Sequence, residues 1–162
     1  MTASDSSARD LLRHTVATVA YRGGKAVRGA PADFSAFRAA ASSRSAGEIL
    51  AHVGDLYDWA WCLAKGEHTW SRAPVGAWDA DVERFFTVLG RFDAYLASAQ
   101  PLGRSAEELF QGPVADSLTH IGQISMLRRL AGAPVRGENY FKAEIVRGRV
   151  GAGQAASRVE FD

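Results

Sequence analysis

The sequence of 162 residues contains one cysteine, Cys62. A single cysteine excludes a disulfide bond within the chain and a zinc site built from several thiolates. Cys62 lies in the apolar and aromatic stretch 59–63, WAWCL. These neighbours favour a buried, unreactive packing residue over a catalytic thiol.

An excess of charge and long apolar runs are also missing. The 19 basic and 18 acidic residues leave a formal net charge of +1. This balance argues against nucleic acid as a partner, because binding to the phosphate backbone requires a strongly basic surface. No apolar run reaches the roughly 18 residues that a membrane-spanning helix needs. The N-terminal segment MTASDSS lacks the basic and apolar regions of a secretion signal. We therefore expect a cytoplasmic protein without a membrane partner.

The composition that remains is that of an ordinary globular protein. Apolar residues make up 47% of the chain and charged residues 23%, which is close to the average for folded domains. A chain of this length suits one domain with a continuous core. We expect a single domain over residues 1–162, with residues 1–7 as a flexible N-terminus.

Four segments of the chain carry apolar residues at the three- and four-residue steps of an amphipathic helix. They cover residues 8–25, 45–66, 78–99 and 112–131, with a short helical turn at 105–110. Ser45 and Glu48 have the spacing of a capping box, and Pro113 suits a first helical turn. The sequence predicts an all-α four-helix bundle of up-down order with one long crossover link between the first two helices. The tail 135–162 is predicted to be irregular, with a stretch at 143–146 that is either extended or helical.

Helical spacing separates the four histidines into two groups. His52 borders the apolar face of the second helix, and His120 lies on the apolar face of the fourth. His14 lies nearly opposite the apolar face of the first helix, and His68 follows the second helix in a loop. We therefore expect His52 and His120 to point inward and the other two to be exposed.

Asp116 lies one turn before His120, and we expect it to be buried on the same face. A buried carboxylate is costly unless it is paired or binds a metal. Together with His52 from a facing helix, this pair offers two imidazoles and one carboxylate, a set that suits zinc, nickel, iron or manganese. Two simpler explanations stay open. The histidines could be hydrogen-bonded core residues, and Asp116 could meet the helix dipole in the first turn after Pro113.

Two strings of residues resemble the DinB/YfiT-like superfamily. They are EILAHVGDL at 48–56 and HIGQI at 120–124, the second followed by LRRLAG at 127–132. Members of that superfamily are four-helix bundles, often dimeric. They hold a metal through one histidine of the second helix and an H-x-x-x-H pair on the last helix, just before G-Q. The resemblance implies that His52 and His120 are metal ligands. Asp116 replaces the first histidine of the pair, and aspartate is a competent though shorter ligand.

The resemblance also implies a homodimer and an activity on a small-molecule substrate. Members include S-transferases and isomerases that use low-molecular-weight thiols, along with metal-dependent hydrolase-like proteins. A divalent metal, with or without such a thiol, would then form the reactive centre. Asp55, one turn after His52, and Gln123, one turn after His120, are candidates to orient ligands or substrate. Either residue could instead be solvated or lie between helices, and this is the simpler interpretation for Asp55.

A non-catalytic bundle with a degenerate metal site is the alternative, in which the inward polar residues only stabilise the core and the protein binds a small molecule or a partner subunit. Trp59, Trp61, Trp70 and Trp78 lie around the second helix and the loop after it. Core packing is their simplest role, and a pocket wall or dimer surface is the other. A further hypothesis is that the cationic and aromatic segment 136–142 closes over the bundle and favours an anionic substrate.

Overall fold

The computed structural model describes residues 3–161, with residues 3–5 described by their backbone alone. The α-helices of this part of the chain are α1 (Ala3–Val27), α2 (Ala46–Ala64), α3 (Trp78–Ala97), α4 (Ala106–Leu109) and α5 (Ala115–Leu130). In the tail, β1 (Gly137–Glu138) pairs antiparallel with β2 (Glu160–Phe161). The prediction of an all-α fold is confirmed.

Helix α1 extends beyond the predicted segment 8–25 at both ends. It includes residues 3–7 of the segment expected to be flexible, while residues 1 and 2 lie outside the described part of the chain. The buried guanidinium of Arg128 on α5 caps the carbonyl end of α1. It donates at 2.9–3.0 Å to the carbonyl oxygens of Ala26, Arg28 and Gly29. This contact joins the end of α1 to the end of α5.

Helix α2 begins with the predicted capping box. The N–H of Glu48 donates to Ser45 Oγ at 3.2 Å, and the N–H of Ser45 donates to the Glu48 carboxylate at 2.6 Å. The helix ends at Ala64, and Gly66 follows with φ +86°, a left-handed conformation that glycine adopts without steric cost. Gly103 packs directly against this turn. A Cβ at Gly103 would lie 2.2 Å from Gly66 Cα, so a larger residue does not fit.

The prediction that a new helix starts at residues 112–113 was wrong. A capping box at Ser105 starts α4, and the chain remains helical through a π-helical turn, Phe110–Val114, into α5. In this turn the N–H of Ala115 donates to the carbonyl of Phe110, five residues back. Pro113 has no N–H for the usual i→i−4 bond. The wider π turn lets the helix continue past the proline instead of starting there.

The four longer helices enclose one apolar core. Helices α1 and α2 each pack against both α3 and α5. Each of the four contributes fully buried side chains, for example Val16, Leu50, Phe92 and Ile124. Burial of a side chain of this size stabilises the fold by about 1.5–3 kcal/mol. The arrangement places α2 beside α5, which are the helices that carry the predicted metal ligands.

The tail after α5 lies along α1. Tyr21 of α1 donates to the buried carboxylate of Glu138 at 2.7 Å, and Lys25 binds both Glu138 and Glu160 at 2.8 and 2.7 Å. The stretch 143–146 is neither strand nor helix. Between residues 3 and 161, no helix combines the length and the apolar character that crossing a bilayer requires.

Candidate metal centre

The three predicted metal ligands come together between α2 and α5. His52, Asp116 and His120 each offer one ligand atom, and these three atoms lie within 4.8 Å of one another. Asp116 Oδ2 lies 3.7 Å from His52 Nε2, and Asp116 Oδ1 lies 3.5 Å from His120 Nε2. Each carboxylate oxygen therefore faces a different imidazole.

Regular helix geometry positions the pair on α5. The π turn ends at Val114, two residues before Asp116. From Ala115 onward the helix is α-helical, so residues four apart lie on one face. Asp116 and His120 consequently project side by side toward α2, where His52 meets them with its ring 4.8 Å from the His120 ring.

The site is half open, and the expectation of a buried Asp116 was wrong. The side chains of His52 and His120 are 18% and 12% exposed, whereas that of Asp116 is 46% exposed. Because Asp116 is not buried, the cost of burying a charge gives no reason for its carboxylate to need a partner or a metal. The helix dipole does not explain it either, because its effect is confined to the first turn and the helical chain begins ten residues earlier, at Ala106.

Gln123 lies beside the ring of His120. Gln123 Oε1 is 2.8 Å from His120 Nδ1. With the amide in this orientation, Oε1 accepts from Nδ1–H, and this tautomer leaves the lone pair on Nε2. That nitrogen is the one that faces Asp116. Metal-binding histidines typically donate their other ring N–H in this way.

Asp55 lies in a network between helices. It is 4% exposed, and its Oδ1 accepts from Arg84 Nη2 at 2.8 Å and from the N–H of Ala73 at 3.1 Å. Arg84 also binds Asp58 at 2.6 Å. Asp55 thus joins α2 to α3 and to the loop between them. It reaches the site only as part of the wall of a second cleft beside His52.

The surroundings of His52 favour its neutral form. Burial lowers the pKa of His52, and the neighbouring His120 and Arg44 lower it further, while Asp116 and Asp55 act in the opposite direction. The net shift is downward. Neutral imidazole is the form that binds a metal ion.

The three side chains open into a cleft of ≈ 630 Å³, which we call the ligand cleft. Its apolar wall is formed by Ile49, Met126, Leu127 and Leu130, and Arg44 contributes a cation. Among the described residues, none after α5 lines the ligand cleft. The hypothesis that segment 136–142 closes over the site was therefore wrong, because the tail is held against α1 instead.

The four tryptophans divide between different surroundings. The ring of Trp70 contacts the edge of the His52 ring at 5.7 Å, and Trp59 contacts Trp70 at 5.6 Å. Trp61 lies against two cationic side chains, and Trp78 packs on a core phenylalanine. Trp70 thus extends the site with an aromatic surface, whereas Trp61 and Trp78 do not reach it.

The remaining candidates lie outside the site. His14 and His68 are exposed, as predicted. Cys62 has a free thiol and is half-buried, less buried than predicted.

Arg44 and two apolar residues of the cleft were missed by the sequence analysis. Arg44 precedes Ser45, the N-cap of α2, so helical spacing gave no signal for the direction of its side chain. Met126 and Leu130 are more than half exposed. They lie beside the apolar face of α5, and the spacing of apolar residues does not indicate whether an exposed apolar side chain lines a cleft.

Comparison with family models, with curated proteins and with solved structures gave no match. The resemblance to the DinB/YfiT-like superfamily therefore rests on the two sequence strings and on the residues that they contain.

Proposed function

We propose that the protein is a DinB/YfiT-like four-helix bundle that binds one divalent metal ion, zinc, nickel, iron or manganese, through His52, Asp116 and His120. The grouping of the three ligand atoms within 4.8 Å carries the proposal. The bundle with one crossover is supported by the packing of α1 and α2 against the same two helices, because the link between them must then cross the bundle.

The three ligand atoms must move closer together to bind a small cation. Metal–ligand bonds of about 2.0–2.2 Å place the ligand atoms of a tetrahedral zinc site roughly 3.3 Å apart. The distances of 3.5 and 3.7 Å join different Asp116 oxygens to the two imidazoles, and one atom from each residue gives a set within 4.8 Å. Side-chain rotation would have to shorten the longest of these separations by up to about 1.5 Å to reach the tetrahedral value. Three protein ligands also leave a position for water or substrate, as in catalytic sites.

The reaction that suits such a site is metal-dependent group transfer or hydrolysis. A divalent ion supplies Lewis acidity there, which lowers the pKa of a water or thiol ligand. The chain itself supplies the ligand set, the hydrogen bond from His120 to Gln123, and an apolar wall for a small-molecule substrate. The resemblance adds a low-molecular-weight thiol as the co-substrate.

Metal analysis tests the binding proposal with controls inside the chain. The full chain is stripped with a chelator, loaded with zinc, desalted and measured by mass spectrometry. We expect one ion per chain in the wild type and in His14→Ala and His68→Ala, whose histidines lie outside the site. We expect loss of the ion in His52→Ala and His120→Ala. Equal metal in all four variants, or no stoichiometric metal in the wild type, would refute the proposal.

A thiol-transfer assay tests the enzymatic part. Low-molecular-weight thiols are offered with several electrophiles to metal-loaded and metal-stripped protein, and we expect a rate that requires the metal and is absent in His120→Ala. Metal binding without any such rate would favour the non-catalytic bundle. The homodimer stays a prediction, which sedimentation of the full chain measures.

A further inference from the structure

A second cleft lies next to the ligand cleft and shares two of its residues. It has a volume of ≈ 320 Å³ and lies between the start of α2 and the loop after α2. Arg44 and His52 line both clefts. Arg72 approaches the second cleft from the loop. A molecule in the second cleft would therefore lie directly beside a proposed metal ligand.

The carboxylates of this second cleft are already neutralised by other partners. The Glu48 carboxylate accepts from the N–H of Ser45 at 2.6 Å and pairs with Arg38 at 2.9 Å. Asp55 is held by Arg84 at 2.8 Å. Both acids of the cleft thus have their own cations outside it.

The cations of the second cleft have no such partners. Between residues 3 and 161, neither Arg44 nor Arg72 forms a hydrogen bond or ion pair through its guanidinium, although both line the same cleft. Paired acids and unpaired cations leave the cleft with a surplus of positive charge. Guanidinium groups bind carboxylate and phosphate oxygens through two parallel hydrogen bonds.

We propose that the second cleft binds the anionic group, a carboxylate or a phosphate, of a small organic substrate through Arg44 and Arg72. The rest of the substrate passes His52 into the ligand cleft, where the apolar wall receives it. This last step rests on the proposed metal-dependent function. The anion subsite itself is formed by the two arginines and does not require the metal.

Nuclear magnetic resonance of the full chain tests the subsite. Succinate and inorganic phosphate are titrated at constant ionic strength into metal-stripped protein, and the arginine Nε–H signals are followed. Uncharged succinamide is the ligand control. We expect saturable shifts of the Arg44 and Arg72 signals with at least one of the two anions and none with succinamide. The tighter of the two anions identifies the carboxylate or the phosphate as the preferred group.

Matched variants separate this subsite from general attraction to a cation. Arg44→Gln and Arg72→Gln are each expected to weaken anion binding about fivefold or more, since each removes a charge-assisted pair. Arg104→Gln makes the same change at an exposed arginine of a different cleft and should leave binding unchanged. Absence of saturable shifts, or equal weakening by Arg104→Gln, would overturn the proposal. His120→Ala removes a proposed metal ligand only, so unchanged anion binding in that variant supports the subsite even where metal binding fails.

Discussion

The hydrogen bond between Gln123 and His120 gives the sharpest prediction about the metal centre. Gln123→Leu removes the acceptor that holds the proton on His120 Nδ1. In the variant the imidazole can rotate and can place its proton on Nε2, the nitrogen that faces Asp116. Both changes oppose metal binding, because the ligand nitrogen must present a free lone pair. We expect a weaker site in a protein that folds as before.

The size of the effect follows from the exposure of the pair. Loss of such an outer hydrogen bond weakens metal affinity by about 10–100-fold. Gln123 is exposed, so water replaces part of the lost bond and the lower end applies. We expect Gln123→Leu to raise the zinc dissociation constant about tenfold, or about 1.4 kcal/mol. Gln123→Glu keeps an acceptor at the same position and adds a negative charge, so its affinity should equal or exceed that of the wild type.

Competition with a chromophoric zinc chelator measures these dissociation constants directly. Gln111→Leu serves as the matched control, because Gln111 is an exposed glutamine with no hydrogen bond to a proposed ligand among the described residues. Urea unfolding of the metal-free proteins should show changes below about 0.5 kcal/mol for these exposed positions. An unchanged dissociation constant in Gln123→Leu would refute the reasoning, and so would equal weakening by Gln123→Glu.

Three further predictions concern single residues. Arg128→Met removes four bonds to backbone carbonyls and should lower the free energy of unfolding by about 3 kcal/mol. Its exposed neighbour is the control: Arg129→Met should cost less than about 0.5 kcal/mol in the same urea assay, and equal losses would contradict the capping role. Burial alone would raise the pKa of Glu138, but hydrogen bonds, the strongest from Lys25, outweigh it and hold the pKa below its ordinary value. The resulting stabilisation is present above the unfolded pKa of about 4.3 and is lost as pH falls through the lower folded pKa. Glu138→Gln should therefore flatten the acid limb of the curve of stability against pH. An unchanged acid limb would contradict this role of Glu138. Asp116→His introduces the histidine that the DinB/YfiT-like pattern has at the corresponding position, and it should retain zinc where Asp116→Ala loses it; loss in both would contradict the assignment of this position.

Local signals in the sequence were sufficient to predict features that depend only on residues close together in the chain. Ser45 and Glu48 predicted the start of α2, because a capping box involves only one helical turn. The same type of reasoning failed at Pro113. Proline is compatible with a first helical turn and with a π turn, and the choice depends on whether the preceding turn is already helical and packed. The sequence predicted the preceding turn at 105–110, but not that it continues without a break through Phe110–Val114 into α5.

The sequence predicted which helix faces carry the candidate ligands. It did not predict how exposed those ligands are. Periodicity placed His52 and His120 on faces that turn toward each other, which the structure reproduces at a ring distance of 4.8 Å. Exposure depends on how closely α2 and α5 approach and on where the tail lies. The tail covers α1 through Lys25 and leaves the ligand cleft open. Arg44 was overlooked because it precedes the helix, where side-chain direction depends on the loop.

The case for a cation at this site finally depends on the contacts of Asp116. Its carboxylate pairs with the two histidines and, among the described residues, with no lysine or arginine. In the tautomer that donates from Nδ1 to Gln123, the lone pair of His120 Nε2 faces Asp116 Oδ1 across 3.5 Å. Two acceptors that face each other repel unless a positive charge lies between them. A proton would relieve one such contact, whereas a single metal ion satisfies the lone pairs of His52, Asp116 and His120 together. One divalent ion shared by His52, Asp116 and His120 is therefore the occupant that we propose, and the metal analysis of the His52→Ala and His120→Ala variants tests it.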